Sequence, residues 1–139
     1  MLFSTSLGVN SVSAKQVVKC EAGGSITAKR PVGVYCKVIG SGTASDPYST
    51  KLMCIALDAS GVNADSIKGQ WGVSEVGGSA GDTIDVVVHG LAKVASGGAK
   101  NNLVTAISNA GVVTDASAGS TNADLALAVC LDADEIFIY

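Results

Sequence analysis

Short apolar runs, broken at close intervals by Gly, Ser, Asn and Asp, recur along the whole chain, and no long 3.6-residue hydrophobic repeat competes with them. A chain punctuated this often builds strands joined by turns rather than long helices. The clearest strand lies in residues 81–90, where Val86, Val87 and Val88 follow one another, and residues 90–94 continue it past a bulge at Gly90. A second signature is a phrase used twice, Ile55-Ala56-Leu57-Asp58-Ala59 and Val129-Cys130-Leu131-Asp132-Ala133. Each copy is an apolar run stopped by an acid and small residues, as a buried strand is stopped by a turn. The expected fold class is mainly β: a small single-domain β-barrel or sandwich with short helical turns.

At 139 residues the chain suits one domain with a real core. We expect an extended N-terminal arm over residues 1–14, polar with scattered apolar positions, and one β-rich domain over residues 15–139. Pro31 and Gly33 make the first part of the run 26–38 an edge or irregular strand. Residues 40–47 read as a loop, 51–57 and 70–76 as strands, and 77–82 as a turn. Propensity allows a helical turn around residues 64–67 and a helix through 123–128, while 103–107 suits either a strand or a brief helix. The chain closes as a strand pair around Asp132-Ala133-Asp134.

Charged residues make up 15% of the chain, which is low for a free domain, so much of the surface is expected to be covered by other subunits. The net charge of -3 argues against nucleic acid, because phosphate binding needs a basic face. Residues 1–69 hold seven Lys/Arg against four Asp/Glu, and residues 70–139 hold two against eight. Either the halves meet different neighbours or the strands interleave and mix the signs. Cys20, Cys36, Cys54 and Cys130 form no C-x-x-C pair, so neither a zinc knuckle nor a redox motif is supported; Cys20 and Cys36 flank a turn and would pair only if brought together. The opening residues lack a basic region and an unbroken apolar core, and no run approaches a membrane span. The expectation is therefore cytoplasmic synthesis with reduced thiols and no membrane partner.

Candidate chemistry is sparse. Residues 77–81 satisfy G-x-S-x-G, with Asp85 and His89 following, but no strand-elbow-helix context surrounds Ser79. On one strand, Asp85 and His89 would stand about 13 Å apart, too far for an orienting hydrogen bond. His89 is the only histidine, so one chain cannot form a histidine metal cluster. Asp132, Asp134 and Glu135 resemble a fragment of a calcium loop without its glycine. No enzyme activity, cofactor or metal is expected. Trp71 is a core anchor or a contact hot spot, and the terminal Phe137 and Tyr139 suggest a docked C-terminus.

Residues 81–139 resemble the small head-decoration, or capsid cement, proteins of tailed bacteriophages, with the likeness extending over residues 25–139. The residues that carry it are Gly81 to Gly90 as a G-x-x-x-x-V-x-V-x-G strand, the two apolar phrases at 55–59 and 129–133, and the final strand 136–139. The resemblance implies a β-rich, β-tulip-like, non-enzymatic virion protein, commonly a homotrimer. Such a protein binds the major capsid protein on the outer capsid surface, often through its N-terminal arm. On that reading, Leu2, Phe3, Leu7, Val9, Tyr48, Trp71, His89, Phe137 and Tyr139 are the candidate capsid or subunit contacts. The chain departs from the family pattern in its longer polar opening and an insert-like stretch at 58–69. A rival reading is an adhesive β-module, secreted or virion-borne, that binds sugars or cell surfaces through its loops.

Overall fold

The computed structural model describes residues 15–57, 70–108, 111–117 and 126–139. They form nine strands: β1 (Lys15–Ala22), β2 (Arg30–Ile39), β3 (Ser49–Ala56), β4 (Gln70–Ser74), β5 (Thr83–Lys93), β6 (Asn102–Ser108), β7 (Gly111–Ser117), β8 (Ala128–Asp132) and β9 (Glu135–Ile138). The hydrogen-bonded order is β1-β3-β2-β4-β5-β9-β8-β6-β7, and β1 also pairs with β5. That extra pairing closes β1, β3, β2, β4 and β5 into a five-stranded barrel, with the other four strands continuing as a flanking sheet.

Long strand β5 belongs to both halves. Ile84, Val86 and Val88 point into the barrel and pack with Cys20, Ala22, Val32, Val34 and Cys54. Val87 points the other way, into a second core with Val73, Val104, Cys130, Ile136 and Ile138. Burial on both faces explains three valines in a row, since a strand with one wet face alternates instead. Farther along, the second core takes Ala92 and Val94, so its parity changes from odd to even along β5. The change occurs at an irregularity. Gln16 pairs with His89 and Val17 with Val87, leaving Val88 as the extra residue, and Gly90 adopts φ 93°.

Several expectations are refined. The described residues contain no helix: 103–107 is strand β6 and Ala128 opens β8. The stretches 64–67 and 123–125 lie outside the described residues, as does the arm 1–14. The run with Pro31 is not an edge strand, because β2 lies between β3 and β4. Pro31 stands second in β2, where it pairs with Val73 of β4 but precedes by one residue the β3 pairing that begins at Val32, so a paired strand flanks it on one side only. The final strand pair forms as expected, with β8 and β9 antiparallel around the 133–134 turn. The echoed phrases sit in different halves. Leu57 is buried, whereas Leu131 is only half-buried, so the repeat is one of strand-and-turn grammar and not of packing.

Candidate docking end

At one end of the barrel β1 begins, β2 rises into its hairpin with β3, β4 begins, and β5 reaches His89. A cleft of about 630 Å³ opens there. Its apolar walls are Val18, Val34, Leu52 and Val88, and Gln16, Cys36, Gln70 and His89 add polar groups. No Asp, Glu, Lys or Arg lines it, so it offers neither a phosphate nor a cation a charged partner.

Register between β5 and β9 sets Gly90 opposite Ile138, which brings the last residues of the chain beside His89. His89 and Phe137 meet edge to face with ring centroids 5.6 Å apart, and Phe137 and Tyr139 meet likewise at 6.3 Å. The fold therefore joins three of the sequence-predicted contact residues into one row. Trp71 is placed elsewhere, opposite Gly33 on β2, half-buried and packed against the second core. Tyr48 stands 69% exposed in the β2–β3 hairpin, its ring so close to Gly42 that a Cβ there would lie 2.5 Å from it. Leu2, Phe3, Leu7 and Val9 lie outside the described residues.

The structure adds contacts that sequence reasoning missed. Val17, Val38 and Ile39 are exposed apolar side chains at this same end. For Val38 and Ile39 the available signal was an apolar pair running straight into the 40–47 loop. Among the described residues, six large apolar side chains are exposed, and Val17, Val38, Ile39, Tyr48 and Tyr139 belong to the cleft end. Val76 lies towards the other end of the barrel, after β4.

Charge is mixed around the barrel rather than split by halves. Lys15 and Lys19 of β1 pair with Glu75 and Asp85 at 2.7 and 2.9 Å, joining the basic first half to the acidic second. Lys51 meets Glu21 at 2.6 Å and Lys93 meets Glu135 at 3.0 Å. Burial works against the Glu75 carboxylate, yet hydrogen bonds from Lys15 Nζ and the Lys93 N–H prevail and hold its pKa below the usual value. Two of the calcium-like acids are engaged through their carboxylates, Asp132 accepting the Ala133 N–H and Glu135 holding Lys93, while the backbone carbonyl of Asp134 accepts the Val94 N–H. Among the described residues, no group of three His, Cys, Asp or Glu could hold a metal.

All four cysteines are free, with Cys36 exposed and the others buried. Burial raises the Cys54 thiol to about 12, with neighbouring Cys20 adding to the shift, and also raises Cys20 and Cys130. Ser79, Asp85 and His89 form no catalytic relay. Ser79 sits in the turn before β5 with its N–H on Asp82, Asp85 accepts from Lys19, and His89 lies at the far part of the strand against Phe137. No helix among the described residues is long and apolar enough to cross a membrane. In comparisons with known proteins, no family model, no curated protein and no solved structure matches this chain.

Proposed function

We propose that this chain is a non-enzymatic structural protein of a tailed-phage virion, which binds the major capsid protein on the outer capsid surface and cements the shell. The observation that supports this best is the gathering of Val17, Val38, Ile39, Tyr48 and Tyr139 at one end of the barrel. A cluster of exposed large apolar side chains around a cleft with an uncharged lining suits docking to another protein, whereas scattered ones would not. The low charge of the chain agrees with a surface that is largely covered in use. Each contact is modest, and many copies on one lattice add buried area across subunit joints, so the shell gains strength by multivalency. No cofactor takes part, and neither nucleic acid nor membrane is a partner in this reading.

The test is co-sedimentation with emptied capsids of a tailed phage whose genome carries this sequence, comparing the natural chain with Val38→Asp and Tyr48→Asp. Binding that is lost in both variants, together with a higher shell melting temperature in the natural complex, supports the reading. A chain that ignores the shells, or binds equally well with an aspartate at both positions, overturns it.

A further inference from the structure

The barrel is closed over only part of its height. β1 and β3 run parallel and pair at Glu21 with Met53 and at Ala22 with Cys54. Toward the cleft that pairing stops. Among the described residues, Lys15 to Cys20 of β1 pair only with β5, and Ser49 to Leu52 of β3 pair only with β2. Two strand edges thus border one seam, and each presents a row of backbone N–H and C=O groups without a ladder partner. Val18 and Leu52, from the two sides of the seam, both line the cleft and pack on the barrel core. A slot with two open strand edges and an apolar floor is the shape that an added extended strand fills.

The chain carries a segment of matching chemistry. In residues 3–10, Phe3, Thr5, Leu7 and Val9 alternate with Ser4, Ser6, Gly8 and Asn10, the period-two pattern of a strand with one buried face. Its apolar side chains suit Val18, Val34, Leu52 and Val88, and its small neutral ones suit an outer face shared with Lys15 and Lys19. An inserted strand antiparallel to both β1 and β3 would satisfy both edges, in the more favourable of the two pairing modes. The connecting residues Ser11-Val12-Ser13-Ala14 hold none of the Gly, Pro, Asn or Asp that a tight hairpin back onto β1 would use. Fully extended, the 14 residues before β1 span about 45 Å, enough to reach a neighbouring molecule.

We infer that residues 3–10 of one copy complete the barrel of a second copy, entering as a strand between β1 and β3, so that the arm links subunits of a homo-oligomer. This inference does not rest on the capsid reading, and it assigns the arm to a neighbouring copy where the family resemblance assigns it to the shell.

The chain supplies its own probe, because Cys36 is exposed and lines the cleft. Leu7→Cys protein treated with a short bis-maleimide should give covalently linked multimers on a denaturing gel, and these should vanish when Cys36→Ser is added. Links confined to single chains would show that the arm fills its own slot, and failure to link at Cys36 would show that it fills neither; both results overturn the inference. Independently, Leu7→Asp with Val9→Asp should lower the light-scattering mass of the folded protein from an oligomer to a single chain. An unchanged mass, or a natural chain that is already a single copy at all concentrations, also overturns it.

Discussion

Val86 and Val87 are adjacent in the chain and belong to different cores, Val86 to the barrel interior and Val87 to the layer between the barrel and the flanking sheet. Both are almost wholly buried. The backbone between them is therefore part of the wall that separates the two cores. Each truncation to Ala should cost about 2 kcal/mol, from two lost methyl groups plus the space left behind. Val73 packs in the second core and is the register partner of Val87. Denaturant unfolding should show coupling of about 0.5 kcal/mol or more between Val73→Ala and Val87→Ala, and less between Val73→Ala and Val86→Ala. Equal coupling would contradict two separate cores.

Gly72 lies where β4 packs tightly against β5. A Cβ at that position would come within 2.5 Å of the Val87 carbonyl oxygen and 2.6 Å of a Val86 methyl carbon. The obstacle includes backbone, which cannot swing aside. Gly72→Ala should therefore destabilise by about 2 kcal/mol as an overpacked site, whereas the same change at Gly24, where nothing lies within 4 Å, should be nearly neutral. Matching melting temperatures for the two variants would show that the strands can separate at no cost.

Glu75 ties the start of β1 to β5 through Lys15 and the Lys93 N–H. Its folded pKa lies below 4.5, so its contribution is fully present above the unfolded value and is lost as pH falls through the folded value. Glu75→Gln should cost about 1 kcal/mol near neutral pH. That difference from the natural chain should shrink as pH falls through the lowered folded pKa and the carboxylate takes up a proton. A deficit that stays constant with pH would assign the effect to packing.

The buried thiols work in the opposite direction. With Cys54 raised to about 12 from 9.0, the folded state favours the protonated form. Its contribution is complete below pH 9.0 and is lost as pH rises from there toward 12. In native protein at pH 8, iodoacetamide should modify Cys36 alone, and Cys20, Cys54 and Cys130 should react only after unfolding. Mass spectrometry of the intact protein reads this directly, and prompt labelling of Cys54 would show that the barrel opens readily.

Much of the strand pattern was legible locally. The run 83–93, the loop 40–47 and the terminal hairpin are each announced by apolar runs bounded by turn residues, and each forms. Pro31 misled because its missing N–H suggests an edge, yet it stands where β2 pairs with β4 alone, one residue before the β3 ladder begins at Val32. The docking end was legible only in fragments. Phe137 and Tyr139 stood out as terminal aromatics, and His89 as the only histidine, but their junction depends on β9 pairing with β5 across more than 40 residues. Val17 looks like any other strand residue, and Val38 and Ile39 are marked only by running into the 40–47 loop, until the sheet leaves all three exposed.

Sequence alone determined the mainly β character, because turn residues at short intervals leave no room for long helical periodicity and β-branched runs favour strands. It also marked residues 83–89 as the most secure strand, and the structure buries its three consecutive valines on both faces while Thr83, Asp85, His89 and Lys93 stay exposed. Tertiary structure alone decided that β1 returns to β5 to close a barrel, that β1 and β3 part toward the cleft, and which apolar side chains meet at one end. The physical reason is that alternation and turns act over a few residues, whereas strand order is chosen by the joint burial of faces far apart in the chain.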